Sequence, residues 1–159
     1  MAAKSPPKAH AETARSPGDG VVQFSIFLRN KVGALLDVVK LLNEHHVQVL
    51  ATSIEASADT AIVRVVVSDP ESVEGVFHLH SVPYSACPLV VVEFKEATQF
   101  GDMLAALLAA EVNIFGAYAL LTRPHGLAAL ALHVEDNDCA ANVLSRSGFN
   151  ILTQHDLSR

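Results

Sequence analysis

The 159-residue sequence has no tryptophan, two tyrosines, two methionines and two cysteines, and only 11 of its residues are lysine or arginine. Each scarcity closes off a class of function. Cys87 and Cys139 stand alone without CxxC spacing, which excludes a disulfide framework or zinc ribbon and predicts two packing thiols in a reducing, cytoplasmic setting. The formal charge is −6, and the first 20 residues carry +1 (Lys4, Lys8, Arg15 against Glu12, Asp19), so the remainder carries −7. A surface of that sign repels nucleic acid and anionic membrane, and the exposed aromatics of an RNA-binding sheet are missing as well. No apolar run reaches the ~20 residues of a membrane-spanning helix. There is no GxSxG, P-loop or GxGxxG, and serine, histidine and aspartate are scattered, so neither a catalytic role nor a cofactor is expected. The close pairs His45-His46 and His78, His80 fall where helices should end, a place the helix dipole favours for histidine. With no carboxylate or cysteine completing a set at ligand spacing, no metal site is predicted.

What the sequence does have is apolar content: half of it is hydrophobic and 18% is charged, a globular balance. The opening stretch, residues 1–20, is rich in Pro, Ala, Ser and Gly and has no apolar leader core, which predicts a mobile tail outside the fold. From Val21 the β-branched and aromatic run VVQFSIFL predicts a strand, and Leu35, Val38, Val39 and Leu42 then mark the stripe of an amphipathic helix. Strands over 47–56 and 60–68, a helix from Pro70 over 70–80 and a short strand over 82–87 complete a βαββαβ order.

That order recurs. Adding 65 to each number turns Leu35, Val38, Val39 and Leu42 into Phe100, Met103, Leu104 and Leu107, and turns Val47 and Val49 into Val112 and Ile114. Strands over 113–122 and 126–134, a helix over 137–147 and a strand over 149–154 follow. A repeat of this size that keeps both stripe and flanking strands is an architectural signal. The fold class is therefore α+β: two tandem ferredoxin-like βαββαβ units, residues 21–87 and 88–159, each an antiparallel sheet with helices on one face. Units of ~65 residues bury too little surface to be secure alone. Back-to-back or side-by-side joining is thus favoured, and a homodimer would cover remaining sheet faces and edges. Apolar residues on both faces of AIVRVVV and LAALALHV fit sheets covered on both sides.

Between the first strand and the first helix runs Asn30-Lys31-Val32-Gly33-Ala34-Leu35. With the βαββαβ order and the second copy, this turn resembles that of tandem ACT domains, the small regulatory modules that bind amino acids. The likeness extends over residues 22–157 and is nearest to stand-alone two-ACT proteins, then to the regulatory small subunit of acetolactate synthase. It implies a free amino acid held against the turn, with Ser53 of the second strand and its counterpart Tyr118 where ligand-facing groups lie. It leaves two roles open, a free-standing sensor or a regulatory subunit on a biosynthetic enzyme's catalytic subunit. The residues agree: a helix N-terminus offers free N–H groups to a carboxylate, and a glycine there admits ligand atoms. Gly33 is also compatible with a turn needed only for packing, Asn30 with a helix cap and Lys31 with a solvated charge. Apolar Val32, Ala34 and Leu35 favour a small apolar or branched side chain over a charged one. Under the 65-residue shift Asn30 becomes Lys95 and Gly33 becomes Thr98, so the second turn, with Ala97 and Gln99, reads as a degenerate site or as an anion contact built differently.

Overall fold

The computed structural model describes residues 20–159, so all but the last residue of the expected tail lie outside the described residues. The elements are β1 (Val21–Arg29), α1 (Ala34–Glu44), β2 (Val49–Ala56), β3 (Thr60–Val67), α2 (Pro70–Leu79) and β4 (Tyr84–Phe94). They are followed by α3 (Gln99–Ala109), β5 (Ile114–Ala119), β6 (Ala128–Val134), α4 (Asn137–Arg146), β7 (Asn150–Leu152) and α5 (Gln154–Leu157). The strand expected over 149–154 is thus cut short. Thr153 ends it by forming a capping box with Asp156, which starts α5.

Helices α2 and α4 begin alike. Asp69 accepts from the Ser72 amide and Asp136 from the Cys139 amide, and Pro70 occupies the first turn of α2, where its missing N–H costs nothing. The Ser72 hydroxyl, and after it the Ser72 amide, hold the Asp69 carboxyl below its ordinary value. Asp69→Ala is expected to lower stability by about 0.5–2 kcal/mol at neutral pH. A carboxylate with a depressed native pKa stabilises above its unfolded pKa and stops doing so as pH falls through the native one. The wild-type advantage should accordingly shrink in acid, which denaturant melts at neutral and acidic pH would show.

All seven strands form one antiparallel sheet in the order β2-β3-β1-β4-β6-β5, with β7 also pairing β4. Strand β4 belongs to both halves: Tyr84 to Leu89 pair with β1, whereas Val90 to Phe94 pair with β6 and, in part, β7. The boundary expected at Pro88 therefore falls inside a continuous strand, with Pro88 opposite Val22. Each half has the 4-1-3-2 strand arrangement of a split βαβ unit.

The sheet curls so that its helix-free faces meet. Phe24, Ile26, Val63 and Val65 pack under Val38, Leu42, Val73 and Phe77 of α1 and α2. Val90, Val92 and Leu132 pack in the same way under Met103, Leu107, Ala140 and Leu144 of α3 and α4. A third core of Val21, Leu50, Val66, Leu89, Val91, Ala131 and Leu152 draws on strands of both halves, joined only by Leu157 of α5. The layers are helix, sheet, sheet, helix. At the seam, β2 meets the residues that follow β5 through the isolated bridge Ala51–Leu120 and a 2.7 Å bond from the Leu121 amide to the Leu50 carbonyl. Open sheet faces, one of the two reasons for expecting a dimer, are thus covered within the chain.

Candidate functional site

The first turn ends with Gly33 as the N-cap of α1, at φ 87° and ψ −11°, and no side chain caps the helix. Left-handed backbone of this kind is cheapest for glycine and strained for β-branched residues, and a Cβ built at Gly33 would meet nothing within 4 Å. The space beside the helix N-terminus is open. Asn30 does not cap the helix: its side-chain amide donates to the Ser57 carbonyl at 2.7 Å and its backbone amide to the Asp59 carbonyl at 3.0 Å, tying the turn to the β2–β3 hairpin. Lys31 and Val32 are exposed, Val32 completely, while Ala34 and Leu35 are half-buried.

The second turn is built differently. On the strands, the helix-facing residues Phe24, Ile26 and Leu28 correspond to Val90, Val92 and Phe94, an offset of 66, whereas on the helices Val38 and Leu42 correspond to Met103 and Leu107, an offset of 65. The second turn is therefore one residue shorter, and the repeat is not in register through it. The N-cap of α3, Thr98, has right-handed helical backbone, φ −62°. Gly33 serves the extra residue of the longer turn. Gln99 closes the shorter one: its Oε1 accepts from the Lys95 amide at 2.8 Å and from the Glu96 amide at 3.3 Å. Ala97 is exposed, and Thr98 donates to Glu96 at 3.3 Å.

Ser53 and Tyr118 are not brought to either turn. Ser53 pairs with Arg64 and Tyr118 with Ala131, on the sheet faces turned away from the helices. There Tyr118 donates its hydroxyl to Gln23 Oε1 at 2.8 Å, and Gln23 Nε2 donates to Ser25 at 3.3 Å and to Cys87 at 3.4 Å. Gln23, only 1% exposed, is the polar centre of an otherwise apolar layer. Burial raises the Tyr118 hydroxyl and the Cys87 thiol above their ordinary values, the nearby Arg64 charge opposing both. The only hint of this junction in the sequence is one glutamine inside the apolar strand VVQFSIFL; its partner lies 95 residues away. Tyr118→Phe should strand a buried acceptor and cost about 1–3 kcal/mol. Adding Gln23→Leu should recover part of that loss, and a double-mutant cycle in denaturant measures the coupling.

Among the described residues, no three histidines, cysteines or carboxylates gather as metal ligands would, and no helix is long and apolar enough to cross a membrane. His45 and His80 cap α1 and α2, with their rings 6.0 Å apart.

No curated protein matches the chain. Among solved structures, protein BT0572 from Bacteroides thetaiotaomicron superposes with a TM-score of 0.80 at 25% identity, covering 89% of this chain and 99% of that one. The regulatory subunit of aspartate kinase from Thermus thermophilus, in its ligand-free form, gives 0.55 at 12% identity over 82% and 94% of the two chains. The subunit from Thermus flavus gives 0.51 at 14% identity over 82% and 93%. A family model described as an ACT domain pair matches residues 20–159, every described residue. Repeat, sheet order and family model agree, and the chain belongs to the ACT domain pairs, a family of regulatory modules.

Proposed function

We propose that the chain senses a free amino acid, small and apolar or branched-chain, at the first strand–helix turn. The difference between the two turns carries this reading. At the first, a left-handed glycine leaves open space beside the uncapped start of α1; at the second, the turn is one residue shorter, Thr98 has right-handed helical backbone and the Gln99 side chain ties down the Lys95 and Glu96 amides. A carboxylate suits the uncapped amides. Val32, Ala34 and Leu35 offer apolar surface, whereas the charges around the turn, Arg29, Lys31 and Asp37, are exposed to solvent, which favours an apolar ligand side chain. Asn30, held by the hairpin, fixes the turn's shape instead of meeting the ligand directly. Ser53 lies on the sheet face turned away from the helices, outside this site.

The test is a thermal-shift series over the twenty amino acids. A ligand at 100 times its Kd adds about 2.7 kcal/mol to the native state. Valine, leucine and isoleucine should raise the melting temperature, while aspartate, glutamate, lysine and arginine should not; the reverse order would reject the reading.

The sensor is proposed to work as a homodimer through α3. Leu104 and Leu108 stand one helical turn apart on its outer face and are 39% and 78% exposed. At the matching positions α1 has the half-buried Val39 and the polar Asn43. A bare apolar face on one of two related helices is the mark of a contact surface. The same face supports a second reading, a regulatory subunit docked on the catalytic subunit of a biosynthetic enzyme, in line with the fold shared with aspartate kinase regulatory subunits. Co-purification of such an enzyme with the tagged chain would select it. Two unpaired cysteines suit a reducing compartment, and we place the protein in the cytoplasm.

A further inference from the structure

The two halves also differ at the open end of each sheet, beside the helix start. In the first half Asn30 bonds across to the hairpin and closes that end. In the second half the turn is shorter and the connection from β5 to β6 longer, and a cleft of about 620 Å³ opens between them. Its apolar wall comes from Phe94, Phe100, Leu127 and Leu130, and Lys95, Glu96 and Arg123 stand at its rim. This volume and lining are those of a small-molecule pocket.

The loop that forms one wall is anchored. His125 Nδ1 is 2.9 Å from Oε1 of the buried Glu93, whose other oxygen accepts from Asn150 at 2.8 Å, and His125 Nε2 is 3.7 Å from Asp156. The Gly126 amide turns back to the Arg123 carbonyl at 2.9 Å. Besides the His125 contacts with Glu93 and Asp156, the one charge pair among the described residues is Arg64–Glu55, so Lys95 and Arg123 line the cleft without a carboxylate partner. Glu96 is engaged by Thr98.

We propose that this cleft binds an apolar monocarboxylic acid, aromatic or acyl, with its body on Phe94, Phe100, Leu127 and Leu130 and its carboxylate on Arg123. Gln99 already occupies the Lys95 and Glu96 amides, so the anion is read by side chains and not by the turn backbone. Arg123 has the planar fork for that task, with Lys95 adding a second positive charge. None of residues 30–35 lines the cleft, so this site is separate from the first-turn sensor and stands or falls independently of it.

The test uses the full chain and isothermal titration with 3-phenylpropanoate, octanoate and the neutral 3-phenylpropanamide. Wild type should bind at least one acid saturably, and the phenyl acid at least tenfold more tightly than its amide. Arg123→Gln should weaken the acid about tenfold and leave the amide unchanged. Ala128→Phe, which fills the floor opposite Phe94, should abolish binding of both; Ala119→Phe replaces it if its melt shows a folding defect. Absence of saturable binding by either acid in wild type overturns the proposal. So does equal binding of phenyl acid and amide, or retained binding in a well-folded cleft-filled variant.

Discussion

Gly33→Val should lose amino-acid binding while the protein remains folded, with stability reduced by about 1–3 kcal/mol, the cost of holding a β-branched residue in left-handed backbone. The two effects have different origins. Strain follows from φ 87° and acts whether or not a ligand exists. Loss of binding follows from the new side chain entering space that no protein atom uses within 4 Å of the added Cβ. Gly33→Asn separates them, because asparagine tolerates left-handed backbone yet still projects into that space. It should melt closer to wild type and bind as poorly as the valine variant. Thr98→Val, at the closed turn, should leave amino-acid binding nearly unchanged. Calorimetric titration with a melt for each variant decides the matter: full binding by a well-folded Gly33→Val protein would mean that the turn only bends the chain.

The pair Leu104→Glu and Leu108→Glu is expected to convert a dimer into a monomer of 16.9 kDa by light scattering at micromolar concentration. Each leucine is worth about 1.5–3 kcal/mol when buried, and a glutamate in its place adds the cost of an unpaired charge. A loss of even 4 kcal/mol weakens association about a thousandfold. Both positions are exposed in the single chain, so its own melting curve should move little. A monomeric wild type, or an unchanged dimer in the variant, would assign the α3 face to something else. Repeating the measurement with amino acid present asks whether binding and assembly are coupled.

The periodic parts of the fold are legible in the sequence. The stripe Leu35, Val38, Val39, Leu42 and its echo at Phe100, Met103, Leu104, Leu107 gave two helices and the repeat, and flanking β-branched runs gave the strands. The turn register was not legible, for a definite reason. A strand reveals its register through alternation, and Val90, Val91 and Val92 are buried on both faces of the curled sheet, so a one-residue offset changes no visible pattern. Only the packing of Phe94 under α3 and of Val91 between the sheets shows it. The Gln23–Tyr118 bond and the cleft at Arg123 were out of reach for another reason: each joins residues from distant strands or loops, and no local spacing marks them.

Because β4 serves both sheets, synthesis from the N-terminus imposes an order of events. Strand β1 waits for Tyr84 to Leu89 before both its edges are paired. The nascent first half would then still expose Val21, Val66 and Leu89, since their cover comes from Val91, Ala131 and Leu152, the last of which follows Leu89 by 63 residues. An apolar sheet left bare for that interval can pair with a neighbouring nascent copy, so the time between emergence of residues 89 and 152 is when misassembly on crowded polysomes threatens this protein most.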